Sequence, residues 1–147
     1  MAHVRSQIRD AVVAALENLP TTGSRVYAGR TRPLAKDHAP TILVYAIEES
    51  SDVDAMGANA TLFRNLTLAV EGRVIGAETP DAALDRIAAE VEPAIVADPT
   101  LGGIAREVTL TATRINAQAP GESQAGEIRM EFRVQYRTIE SAPQTAV

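Results

Sequence analysis

The chain has no cysteine and no tryptophan, and aromatic residues make up only 3% of its 147 positions. Without cysteine there is no disulfide framework, no thiolate nucleophile and no Cys-ligated metal site. With so few rings, the core must be built from Val, Ile, Leu and Ala. Hydrophobic residues reach 46%, enough for one domain's core at this length. No apolar run approaches the roughly 20 residues needed to cross a bilayer. The opening MAHVRSQIRD lacks the apolar stretch of a signal peptide. The expectation is therefore a protein made and kept in the cytoplasm, or in something assembled there, with no membrane partner. Positive charge is also in deficit. A net charge of −5 and a pI near 5.0 argue against a nucleic-acid grip that depends on overall charge. Neither a G-x-x-x-x-G-K-[ST] nor a G-x-G-x-x-G phosphate cradle is present, and there is no G-x-S-x-G nucleophile turn.

What is present is organised around Glu127–Thr138, EIRMEFRVQYRT. Ile128, Met130, Phe132, Val134 and Tyr136 share one parity. Glu127, Arg129, Glu131, Arg133, Gln135 and Arg137 share the other. Side chains alternate faces along a strand, so this pattern predicts a β-strand with one buried and one charged face. At about 1.5–3 kcal/mol per buried apolar side chain, the five inward residues contribute roughly 8–15 kcal/mol gross. A one-residue slip would bury three arginines, so the register should be strongly fixed.

The rest of the chain arranges itself around that strand. Val4, Ile8, Val12, Ala15, Leu16 and Leu19 form one stripe at helical spacing, predicting an amphipathic, core-packed helix over Val4–Leu19 that Pro20 and Gly23 stop. Arg25–Ala28 reads as a short edge strand, and Gly29–Pro40 as a basic loop. Thr41–Glu48 is continuously apolar, which fits a strand covered on both faces. Glu49–Ala60 reads as a long polar loop. Thr61–Ile75 is a long strand with Leu62, Leu66, Leu68, Val70 and Val74 on one face, and Gly72 as a candidate bulge or bend. Thr79, Pro80 and Asp81 open a second helix whose stripe is Leu84, Ile87, Ala88, Val91 and Ile95. Pro93 inside it predicts a kink or break near Glu90–Glu92. Ile104–Asn116 is a strand and Ala117–Ala125 a hairpin connection. Ser141–Val147 reads as a loose tail. The fold class is α+β: one domain over residues 1–140, with a flexible C-terminal tail at 141–147. Its sheet should be mainly antiparallel, with four to five strands and two helices packed on one face. The Arg/Glu and Thr rows are left facing water or another subunit.

Candidate reaction chemistry is thin. His3 and His38 lie far apart with no third ligand at a recognisable spacing, which makes a weak metal case. His38 reads as a solvated loop histidine, and adjacent Asp37 is too close in the chain to orient it as a base. Asp81, Asp85 and Glu92 fall at helix spacing and read as a solvated face. Asp52 and Asp54 lack the ligand count and terminal acid of a calcium loop. Arg25, Arg30, Arg32 and Lys36 make a locally positive run suited to phosphate or an acidic partner. Without interleaved aromatics it gives no support for base stacking.

Several stretches resemble a known family. VRSQIRDAVVAALENLPTTGSRVYAGRTRPL at the start, LVY at Leu43–Tyr45, DRIAAEVEPAIVADPTLGG at Asp85–Gly103 and MEFRVQYRT at Met130–Thr138 together resemble the minor tail protein U-like tail terminators of long-tailed bacteriophages. The likeness spans nearly the whole chain, through soft motifs rather than a catalytic signature. It implies a virion protein without catalytic residues or cofactors. Such proteins form a six-membered ring on the head-proximal end of the tail tube, stop tube polymerisation and offer a surface to the head's neck proteins. The implied partners are further copies of the chain, the tail tube protein and a neck or head-completion protein, with DNA passing through the lumen without specific binding. On that reading the candidate interface residues are Arg30, Arg32, Asp52 and Asp54 in the two loops and Arg129, Glu131 and Arg133 on the open strand face. Two other readings stay open: another head–tail connector, such as a stopper or head-completion protein, and a small enzyme using a carboxylate pair in a cleft.

Overall fold

The computed structural model describes residues 2–31, 39–54, 57–76, 79–117 and 125–147. Helix α1 spans Val4–Leu16 and buries Val4, Ile8, Val12 and Leu16, one residue per turn. It ends three residues short of expectation. Asn18 takes a left-handed conformation (φ 66°), and Leu19 and Gly23 close a tight turn instead. Strand β1 is Val26–Ala28, β2 Thr41–Val53 and β3 Thr61–Ile75. Helix α2 covers Pro80–Val96, followed by β4 (Glu107–Ala117), β5 (Ala125–Ile139) and β6 (Ala142–Ala146). The α+β, single-domain, mainly antiparallel expectation holds, with six strands rather than four or five.

The strand order is β1-β2-β3-β5-β4. β1 joins β2 in parallel, and β2–β3, β3–β5 and β5–β4 are antiparallel. The two expected hairpins therefore meet along β3 and β5, and α2 carries the chain across to β4. Both helices lie on one face. Their stripes, Leu84, Ile87, Val91 and Ile95 from α2 among them, pack on Ile42, Val44, Leu66, Leu68, Val70 and the five inward residues of β5.

Four sequence expectations change. Residues Glu49–Val53 belong to β2 rather than to a loop, because each pairs with β3. The stretch 141–147 is no loose tail. β3 occupies one edge of β5 as far as Ile139, and β6 takes the other edge beyond the end of β4. Gln7 Nε2 then donates to the Gln144 carbonyl (2.8 Å), tying β6 to α1. Helix α2 continues through Pro93 rather than breaking there, at the loss of the hydrogen bond that a residue 93 amide would donate to the preceding turn. Gly72 marks no bulge. It is a point of close approach: a Cβ there would sit 2.9 Å from Ile87 Cγ2 and 3.1 Å from Ile128 Cγ2. The ladder irregularities among the described residues fall elsewhere, between Ala46 and Glu48, between Leu110 and Ala112, and between Thr138 and Ile139. The second turns Ala112 to the face opposite Leu110. The hairpin tip at Pro120–Gly121 and the histidine His38 lie outside the described residues.

Gly72→Ala should lower stability by about 1–3 kcal/mol, the usual cost of overpacking a filled core. Urea unfolding monitored by circular dichroism checks this, and an unchanged or raised midpoint would show that Ile87 yields freely.

Candidate assembly interface

The sheet face away from the helices is ordered in rows by the pairing register. One row runs Thr41, Arg73, Glu127, Asn116 and the next Leu43, Glu71, Arg129, Arg114. Tyr45, Ala69, Glu131 and Ala112 form a third; Glu48, Thr67, Arg133 and Thr109 a fourth. Ser50, Asn65, Gln135 and Glu107 follow, and then Asp52, Phe63 and Arg137. Leu43, Tyr45 and Ala69 make a small apolar cluster with Tyr27 against it. Beyond that cluster the face is polar, and its charges near Glu71 and Glu131 are paired with one another. The Tyr45 hydroxyl donates to Glu71 Oε1 (2.9 Å), and Arg73 Nε donates to Glu71 Oε2 (2.7 Å). Arg73 also approaches Glu127 (3.9 Å), and Glu131 Oε2 holds both Arg114 (3.1 Å) and Arg129 (3.2 Å). Burial, then the Glu71 carboxylate, push the Tyr45 phenol above its usual value.

All six described candidates face this side. Arg30 stands with its guanidinium 4.4 Å over the Tyr45 ring and donates to the Ala46 carbonyl (3.0 Å). Arg129 and Glu131 pair in the neighbouring rows, and Arg133 is exposed between Thr67 and Thr109. Asp52 is exposed opposite Phe63. Asp54 pairs with Arg137 at 3.2 Å, although Arg137 Nε lacks hydrogen-bond geometry toward it. Arg30, Arg129 and Glu131 thus come together near Tyr45, while Asp52 and Asp54 form a separate group at the other end of the sheet. Arg32 lies outside the described residues. Glu71, Arg73 and Arg114 complete the network without having been singled out in sequence. Their strand parity was the available signal for Glu71 and Arg73. For Arg114 the bulge in β4 hid it.

A second polar cluster lies on the helix side, and the signal for it was Arg64, a charge on the same strand parity as Leu62, Leu66 and Leu68. Glu49, in the part of β2 read as a loop, accepts from Arg5 Nη1 (2.6 Å), Arg64 Nη1 (3.0 Å) and the Tyr136 hydroxyl. Arg64 Nε donates to Thr138 Oγ1 (2.9 Å). The Glu49 and Arg64 side chains are each only 10% exposed. His3 caps α1 by accepting from the Arg5 amide through Nδ1 (3.1 Å), which requires the neutral ring. Burial and the nearby Arg5 and Arg64 lower its pKa accordingly. Burial first, and Glu49 second, hold the Tyr136 phenol well above its ordinary value.

Two depressions open on the charged face beside Asn116 and Glu127. One, of about 220 Å³, is lined by Glu71, Arg114, Ile115 and Arg129 as well. The other, of about 300 Å³, reaches Arg73, Val74 and Ala125. In the first, the acids already carry arginine partners. Among the described residues no group of three or more His, Asp or Glu is placed to hold a metal ion, and no helix is long and apolar enough to cross a membrane.

A sheet face free of helices and patterned in charges suits contact with other proteins. The chain belongs to the phage minor tail protein U family, which matches residues 3–136. It is a structural protein of the phage tail, located in the virion, and assembles there with other tail and virion proteins. Among solved structures it is similar to a chain described as the virion of a native gene transfer agent particle. That chain is 19% identical, with 92% of each chain covered and a TM-score of 0.41. No curated protein sequence matches.

Two outcomes follow for the buried cluster. Glu49→Gln removes the charge that offsets two arginines and should cost about 3 kcal/mol, the low end for breaking a buried pair because Arg5 keeps water contact. Urea titration reads the loss, and a change below measurement error would mean that water already screens the site. Tyr136 has a raised folded pKa, so its contribution is intact below its unfolded pKa of about 10 and is lost as pH rises above that. Thermal melts from pH 8 to 11 should therefore fall more steeply for the native chain than for Tyr136→Phe. Parallel curves would refute the linkage.

Proposed function

We propose that this protein closes into a ring, six subunits by family resemblance, at the head-proximal end of the tail tube. There it stops tube polymerisation and gives the head's neck proteins a joining surface. The observation that carries this reading is family membership over residues 3–136, joined to an open sheet face that carries both ion pairs and exposed charges such as Asp52 and Arg133. Paired surface charges add little stability each, about 0–1 kcal/mol. Their value lies in selecting partners and fixing orientation, since a misplaced like charge is penalised. In a ring each subunit uses two different patches, so one chain supplies both halves of every contact. Arg30, Asp52, Asp54, Arg129, Glu131 and Arg133 are assigned to such contacts. The protein acts through these surfaces rather than by transforming a small molecule, and DNA crosses the lumen without specific contacts.

Electron microscopy of purified protein mixed with tail tubes tests this. A terminator caps tube ends and halts their growth when more tube subunits are added. Tubes that remain bare and continue to lengthen would overturn the reading. Binding to the head's neck proteins alone would point to a stopper or head-completion role instead.

A further inference from the structure

One margin of the sheet is only half covered. β1 pairs with Ile42–Val44 on the outer side of β2, and beyond it Gly29 N donates to the Val44 carbonyl (2.7 Å) and Arg30 to the Ala46 carbonyl (3.0 Å). From there to Val53, β2 has no strand partner but β3 among the described residues. Asp54 N donates to the Thr61 carbonyl of β3 (2.8 Å), and no register shift interrupts Glu48–Val53. Main-chain direction alternates along an antiparallel ladder. Glu48, Ser50 and Asp52 therefore face β3 as Asp54 does, while Glu49, Ser51 and Val53 turn their N–H and C=O groups outward. Those outward groups have no hydrogen-bond partner among the described residues. A row of this kind is a template for a further strand.

We infer that this edge takes up an extended basic segment of a different virion protein as an added antiparallel strand. Only the chain's assembly with other tail and virion proteins is required, and the contact stands whether or not copies close into a ring. Charge selects the occupant. Between Ile47 and Asp54 the chain carries Glu48, Glu49, Asp52 and Asp54 and no base. Glu49 is taken up by Arg5 and Arg64, and Asp54 by Arg137. Glu48 and Asp52 are exposed on the helix-free side and have no ion-pair partner among the described residues. Against an added strand both would sit in non-hydrogen-bonded pairs, where facing side chains come closest. Two bases at the matching spacing would meet both acids, and such cross-strand pairs are favourable. On the helix side Val53 is 57% exposed, and an apolar residue opposite would cover it. Glu48–Val53 offers about 20 Å of edge, room for a strand of ordinary length. The same acids turn away the chain's own edges. Two β2 edges repel each other. β4, the opposite margin, bears Glu107 level with Ser50, and its Arg114 stands level with Leu43, where β1 already sits. Charges on an edge exclude like strands and so narrow the pairing to a basic one.

Two variants separate the strand from its charge: Ser51→Pro, and Glu48→Lys combined with Asp52→Lys. The Ser51 amide points outward, so proline there removes the central donor of the template and takes no bond from the β2–β3 ladder. Circular dichroism checks that both variants fold. Co-sedimentation then measures binding to tail tubes and, separately, to the head's neck proteins. Each variant should bind the unmodified chain's partner about tenfold more weakly. In that complex, amide exchange at Glu49, Ser51 and Val53 of the unmodified chain should slow by roughly tenfold or more. Undiminished binding by both variants, or amides that exchange as fast in the complex as in the free chain, would overturn the added strand and leave the ring reading standing. Weakening by Ser51→Pro alone would overturn the basic occupant. Weakening by the charge-reversed pair alone would overturn main-chain pairing. Slowing of the same amides when the unmodified chain self-associates would place the segment in a second copy and overturn the choice of a different protein. Bare tube ends, with these amides slowed by a neck protein, would overturn the terminator reading and support the added strand.

Discussion

The antiparallel pairing of β3 with β5, fifteen residues on each strand, is the constraint on which the rest depends. Its inward row sets Leu66, Leu68, Val70 and Val74 beside Val134, Phe132, Met130 and Gly126, and both helices close over it. Its outward row carries Glu71, Arg73, Arg129 and Glu131. A slip by one residue would exchange the two rows, so burial fixes the position of every charge on the open face. Two glycines serve the same purpose. Gly72 lets Ile87 of α2 approach the sheet, and at Gly126 a Cβ would come within 3.0 Å of Leu84. β2 then docks on β3, and β4 and β6 share the outer edge of β5.

The charges divide into two populations with different physical standing. Glu49, Arg64 and Tyr136 are largely removed from water, where an unmatched partner is costly and the set behaves as one unit. That unit binds β2, β3 and β5 to the start of α1, and it is a fixture of the fold. The pairs on the helix-free face keep access to solvent. They can exchange partners at little cost, as a surface that meets another protein must. The open sheet edges lie at the margins of this second population. Stability therefore rests on the helix side of the sheet, and the ion pairs of the other face can rearrange without loosening the core.

Local pattern made much of this legible. The parity of Glu127–Thr138, the leucine and valine rows of Thr61–Ile75 and the stripes of both helices all depend on residues within a turn or a strand, and a sequence displays these directly. The failures share a cause. Glu49–Asp52 is polar at every position, Glu49 because it serves the inward ion cluster, and polarity without alternation imitates a loop. Ala142–Ala146 is too short and too mixed to show alternation, and the contact that ties it down, Gln7 of α1, is far away in the chain. Pro93 does not break α2, because Ile95 beyond it packs into the core, and the sequence does not display that contact.

The sequence by itself determined the two periodicities, the α+β class, the buried row of β5 and the residue types of a charged outer face. Only the tertiary structure decided which charges meet. Arg30 over Tyr45, Arg114 with Glu131 and the group around Glu49 each join elements separated by at least one intervening turn or strand. Burial is a property of each residue and its near neighbours, so it leaves a local trace. Charge pairing is set by strand order and by bulges, and those arise only when distant segments settle into one register.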